Sequence, residues 1–125
     1  MPTLRGSYAS HLHDFFVSGG LAYLAEYEGR VLMVDVSNPS SPQLRGFYNT
    51  LGQAGPLFVS DRLAYVADSK AGLLIIDVSN PALPQLRGLY NSATYDVFVS
   101  GDLAYAADRA GPLRIIDVSN PSVPI

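Results

Sequence analysis

The sequence predicts an all-β fold built from three four-stranded antiparallel blades of the β-propeller type. Three observations predict it: a tandem repeat of about 40 residues, short apolar runs separated by turn residues, and no stretch that combines helical spacing with helix caps. Pro2, Pro42, Pro84 and Pro124 mark units spaced 40, 42 and 40 residues apart, within the range of propeller blades. Leu-Arg-Gly recurs at 4–6, 44–46 and 86–88, with Tyr8, Tyr48 and Tyr90 two residues further on. Phe-Val-Ser follows at 16–18, 58–60 and 98–100, Leu-Ala-Tyr at 21–23, 63–65 and 103–105, and Val-Ser-Asn-Pro at 36–39, 78–81 and 118–121. A sandwich has no reason to repeat this closely, whereas a ring of blades does.

Each unit reads as strands A to D. Residues 14–18, the turn Gly19-Gly20 and residues 21–25 form a tight A-B hairpin, and Asp61-Arg62 and Gly101-Asp102 fill the same turn in the other units. The runs 30–36, 72–78 and 112–118 are nearly continuously apolar, as expected of a strand C buried on both faces between neighbouring blades. Ser-Asn-Pro then turns the chain, because Asn tolerates turn geometry and Pro cannot donate to a ladder. The Gln-Leu-Arg-Gly segment that follows is strand D, whose arginine suits a half-exposed outer edge. The second unit spends thirteen positions between Gly46 and Val59 where the others spend eleven, so one loop has grown while the strands have not.

The strand-C motifs Leu74-Ile75-Ile76-Asp77-Val78-Ser79-Asn80-Pro81 and Leu32-Met33-Val34-Asp35-Val36 resemble the LVIVD repeat family, and the resemblance covers essentially the whole chain. It implies a β-propeller typical of bacterial and archaeal surface or secreted proteins, with no activity common to the family. Members usually carry enough repeats to close a ring in one chain; this sequence has three. The close likeness of the three units also fits recent amplification, or a designed or fragment propeller with no evolved ligand.

Composition narrows the function classes. A length of 125 residues with 48% hydrophobic content suits one globular unit with a sizeable core. A net charge of -3 and scattered basic residues argue against nucleic-acid or anionic-membrane partners. There is no cysteine, hence no disulfide or thiolate metal site, and this leaves the compartment open. No apolar run approaches the ~18 residues of a membrane span, and the start lacks a signal peptide's apolar stretch, so the chain reads as soluble and cytosolic as expressed.

Three blades leave an open arc. The register divides the chain into residues 2–8, a strand D for a neighbouring chain; 9–48, the first blade; 49–90, the second; and 91–125, the third, which lacks its strand D. Leu4, Arg5, Gly6 and Tyr8 of one copy are therefore expected to pair with Leu113, Ile115, Ile116 and Val118 of the next by strand addition. Two copies make a six-bladed homodimer, the favoured reading; three make a nine-bladed homotrimer, above the usual range.

Positions that recur in all units serve the blade, and those that differ are free for function. Asp35, Asp77 and Asp117, each before Ser-Asn-Pro, suit turn capping, and Arg5, Arg45 and Arg87 a salt bridge or solvated edge. The differences gather in the D-A loops (9–13, 49–55, 91–95) and the B-C loops (26–28, 68–70, 108–109), which open on one face of a propeller. The ligand-binding candidates are accordingly His11, His13, Asp14, Tyr27, Glu28, Gln53, Tyr95, Asp96, Asp108 and Arg109. His11 and His13, two apart beside Asp14, could reach a metal from one side of an extended segment, although ordinary surface histidines explain them as well. No nucleophile triad, phosphate loop, or zinc or calcium spacing is present, so no catalytic residue, cofactor or metal is assigned. The expected function is a non-enzymatic self-assembling scaffold or binding module, meeting a protein, glycan or small molecule. A ligand- or metal-binding, even catalytic, channel mouth is the alternative.

Overall fold

The computed structural model describes residues 2–108 and 111–125. Eleven antiparallel strands form three sheets in chain order, with no helix among the described residues. The first sheet is β1 (Leu12–Ser18), β2 (Leu21–Glu26), β3 (Arg30–Asp35) and β4 (Gln43–Asn49), and the second is β5 (Ala54–Ser60), β6 (Leu63–Asp68), β7 (Gly72–Asp77) and β8 (Gln85–Tyr90). The third holds β9 (Asp96–Ser100), β10 (Leu103–Ala107) and β11 (Leu113–Asp117). Each strand pairs with its successor, so every sheet is a meander, here called blades 1 to 3.

The A-B hairpins close on two-residue turns. Gly19 and Gly20 have φ of 59° and 78°, the twist that matches strand twist, and Asp61 and Arg62 adopt φ of 50° and 64° to make the same turn without glycine. Strands β1, β5 and β9 are neighbours, so the three sheets fan out from their first strands in a propeller-like arrangement. Along this inner edge Phe16, Phe58 and Phe98 form a ladder of tilted rings, with centroids 5.1 and 4.8 Å apart.

Two apolar cores fill the joints. Tyr23, Ala25, Val31 and Met33 of blade 1 pack on Leu57, Val59, Val66 and Ile76 of blade 2. One repeat later Tyr65, Ala67, Leu73 and Ile75 of blade 2 pack on Val97, Val99, Ala106 and Ile116 of blade 3. The same repeat positions meet at both joints. Burial raises the Tyr23 and Tyr65 phenol pKa values above the ordinary value, since the anion would lose its hydration there.

Strand D carries a device the apolar pattern does not announce. Met33 faces Gly46 while Val34 faces Leu44, which leaves Arg45 bulged, and Arg87 is bulged in the same way between Gly88 and Leu86. The bulge re-aims each arginine. The glycine beside it lies against the proline carbonyl of the following blade, Gly46 on Pro81 and Gly88 on Pro121, too close for a Cβ.

The N-terminal segment, expected to pair with another copy, adds no strand to the sheets of its own chain. Residues 2–11 join no sheet, and β1 starts at Leu12, two residues earlier than the pattern suggests. Yet Gly6 lies on the carbonyl of Pro39 as Gly46 lies on Pro81.

Candidate functional site

The recurring aspartates are turn caps. In each blade Oδ1 of Asp35, Asp77 or Asp117 accepts from the N–H at 2.9 Å and the hydroxyl at 2.6 Å of the serine two residues on. Arg45 reaches Asp35 at 2.8 Å and Arg87 reaches Asp77 at 3.1 Å. The serine hydroxyls, with these arginines in the first two blades, hold the carboxyls below the ordinary carboxylate value.

The variable loops build a hollow of about 390 Å³ on one face, spanning all three blades. His13, Tyr27, Gln53, Tyr95 and Asp96 line it, joined by Gly55, Ser69 and Thr94, which belong to the variable loops without being candidates themselves, and by Pro56 and Ala67 from outside those loops. Small and apolar residues give no chemical signal on their own; only the fold brings them to a wall. The His13 ring stacks on Tyr27 at 4.5 Å and 9°, and its Nδ1–H donates to the Ala54 carbonyl at 3.2 Å.

Of the other described candidates, His11, Asp14, Glu28 and Asp108 do not line this hollow. His11 Nδ1–H donates to Glu28 at 2.9 Å, which lowers the Glu28 carboxyl pKa. The two histidines thus point their Nδ1 atoms at different partners, and among the described residues no three His, Asp or Glu side chains gather to hold a metal. Asp14 Oδ2 accepts from the Leu57 N–H at 3.2 Å, tying blade 1 to blade 2. Asp108 sits 3.6 Å from Arg114, and Arg109 lies outside the described residues.

At the end of strand B in blades 1 and 2 a buried acid fastens a loop, which the loop composition alone did not reveal. Glu26 accepts from the Ser10 hydroxyl at 2.6 Å and pairs with Arg30 at 2.8 Å. Asp68 Oδ1 takes backbone N–H groups from Gln53, Lys70 and Ala71, while its buried Oδ2 has no hydrogen-bond partner among the described residues.

The two ends of the arc are open. On blade 1 a groove of about 400 Å³ runs between Arg5, Gly6 and Tyr8 on one side and Phe15, Ala22, Leu24, Val34 and Val36 on the other. On blade 3 the side chains of Phe98, Leu113 and Ile115 face outward. Two of the residues expected at an interface do not: Ile116 and Val118 are buried against blade 2, because alternate residues of β11 point to opposite sides. Their backbone also faces inward, the Val118 N–H donating to the Asp102 carbonyl at 2.9 Å, and it is Asp117 between them that presents its N–H and C=O to the open edge. There Ile125 exchanges two hydrogen bonds with Asp117, at 2.6 and 3.1 Å, in the register that Gln43 keeps with Asp35.

Meandering sheets, two of four strands and one of three, that repeat and pack face to face around their first strands define a propeller-type repeat module. The chain belongs to the LVIVD repeat family, whose model matches residues 11–50, 51–92 and 93–125. No curated protein matches it.

Proposed function

We propose that this protein is a self-assembling propeller scaffold, in which the open face of blade 3 packs on the open face of blade 1 of another copy. One observation carries the reading: apolar positions exposed at each end of the chain match repeat positions that are buried at a joint inside it, although Ala22, Leu24, Leu32 and Val34 at the blade 1 end are already covered. Leu73 and Ile75 are 0% exposed at the joint of blades 2 and 3, whereas their counterparts Leu113 and Ile115 are 63% and 59% exposed. At the other end Leu57 and Val59 are 5% and 8% exposed, against 58% and 55% for Phe15 and Val17. Burying such side chains is worth ~1.5–3 kcal/mol each, and an apolar patch of this kind marks an association surface.

The N-terminal segment supports the same reading. Leu4-Arg5-Gly6 repeats Leu44-Arg45-Gly46, and Gly6 already lies on Pro39 as a strand D of a preceding blade would. Against the open edge of β11 in another copy it would complete blade 3 as β4 and β8 complete blades 1 and 2. Propellers usually have four to eight blades, so two copies, giving six, fit better than three, giving nine.

Sedimentation equilibrium at micromolar concentration is expected to return the mass of two chains. Deleting residues 1–8 is expected to return one chain with its β-sheet circular dichroism retained. A full-length mass of one chain overturns the reading, and a mass of three replaces the six-bladed ring with a nine-bladed one.

A further inference from the structure

The loop-face hollow lies within one chain, so its use does not depend on ring closure. At one repeat position the blades carry His13, Gly55 and Tyr95, on first strands or loops that stand side by side in that order. The middle blade contributes no side chain there, and the gap becomes a slot between two ring-bearing walls. A Cβ on Gly55 would stand 2.8 Å from the Ala67 carbonyl, so the floor accepts no larger residue without moving backbone. The His13 wall is preorganised: stacking on Tyr27 fixes the ring plane, and the Ala54 carbonyl, which can only accept, fixes the proton on Nδ1 and makes Nε2 an acceptor.

The polar groups of the slot are few. Gln53 Oε1 accepts from the Ser69 hydroxyl at 3.3 Å, which leaves the amide N–H groups as donors, and Asp96 accepts from its neighbour's N–H through Oδ1 at 2.9 Å. The described lining has one carboxylate, and the cation beside it, Lys70, lines only the adjoining hollow that shares Gln53, Ser69, Thr94 and Tyr95, so the carboxylate sets the charge of the slot itself and disfavours an anion there. A flat apolar ring would leave the Gln53 and Asp96 groups desolvated and unpaired. A saturated ring bearing hydroxyls meets both demands, with C–H faces against aromatic walls and O–H groups on the amide, the carboxylate and Nε2.

We propose that this slot is a binding site for a neutral sugar ring of monosaccharide size, held between His13 and Tyr95 and oriented by Gln53 and Asp96. The volume lies in the ~300–1,000 Å³ range of small-ligand pockets.

The test is titration of the full chain with D-glucose, D-galactose, D-mannose and N-acetyl-D-glucosamine, followed by amide chemical shifts. Choline, inorganic phosphate and benzyl alcohol serve as cationic, anionic and flat apolar counter-probes. At least one sugar is expected to give saturable shifts centred on Gly55, Ser69 and Tyr95. Tyr95→Ala and Gln53→Ala should each weaken it by about tenfold, while Tyr95→Phe, which keeps the wall, stays close to the parent. Thermal melts of all three variants establish that they remain folded. The proposal is overturned if no sugar saturates up to about 50 mM, far above the millimolar range of weak ligands. It is equally overturned if a counter-probe binds in place of the sugars, or if sugar affinity is the same in the Tyr95→Ala and Gln53→Ala variants. The chain's oligomeric mass is measured separately, so this outcome stands apart from that of ring assembly.

Discussion

Arg45 and Asp35 meet at 2.8 Å because a bulge turns the arginine of strand D back toward the end of strand C. Arg87 and Asp77 repeat the pair in blade 2, and in blade 3 Asp117 has the same serine cap. The residue at the matching repeat position is Arg5. In a closed ring Arg5 of one copy would therefore meet Asp117 of the next. Arg5→Ala is expected to weaken association by at most about fivefold, the scale of an exposed ion pair, and Arg5→Glu by more. Dimer dissociation constants from sedimentation, with unchanged monomer melting in both variants, check this.

Ile75 and Ile115 occupy one repeat position in opposite circumstances. Ile75→Ala removes atoms from a packed joint and should destabilise the folded chain by ~2–5 kcal/mol. Ile115→Asp lies on the open face and should leave the isolated chain folded while abolishing its association. Molecular mass read beside urea unfolding at low protein concentration separates the two; an unchanged mass for Ile115→Asp would show that the open face is not an association surface.

The aspartate caps set a pH dependence. Asp35, Asp77 and Asp117 have folded pKa values below their ordinary 3.8, so the charged caps stabilise the fold above that value. That stability drains away as the pH falls from about 4 through the folded values. The melting temperature should drop on acidification below pH ~4. Replacing Ser37, Ser79 and Ser119 together by alanine should flatten the drop, because the cap hydrogen bonds that depress the pKa values are then partly removed.

The hairpin turn of blade 2 holds two non-glycine residues at positive φ, Asp61 at 50° and Arg62 at 64°. Left-handed backbone costs such residues ~1–2 kcal/mol each, and Asn-Gly suits this turn. Replacing the pair by Asn-Gly should stabilise the chain by about 1 kcal/mol, after the added chain entropy of glycine, with sheet content unchanged. Denaturant unfolding of the two proteins measures it.

Of the candidate loop residues, His13, Tyr27, Gln53, Tyr95 and Asp96 proved to share one hollow, which comparison of the three repeats could signal because variation collects where the scaffold does not need identity. His11 and Glu28 look the same in that comparison, yet they pair with each other. Whether two variable loop residues face a common space depends on how the blades fan, and no residue pattern within one blade encodes that.

By itself the sequence determined the blade: the period, the four strand segments, the apolar strand C, the turn residues and the aspartates before Ser-Asn-Pro are local, and local backbone preference and burial pattern suffice to specify them. Tertiary structure alone decided which side of each strand is buried against which neighbour. The same Ile is core at position 75 and surface at position 115, and glycine is a slot at position 55, because burial belongs to the joint between two blades and not to either blade's residues.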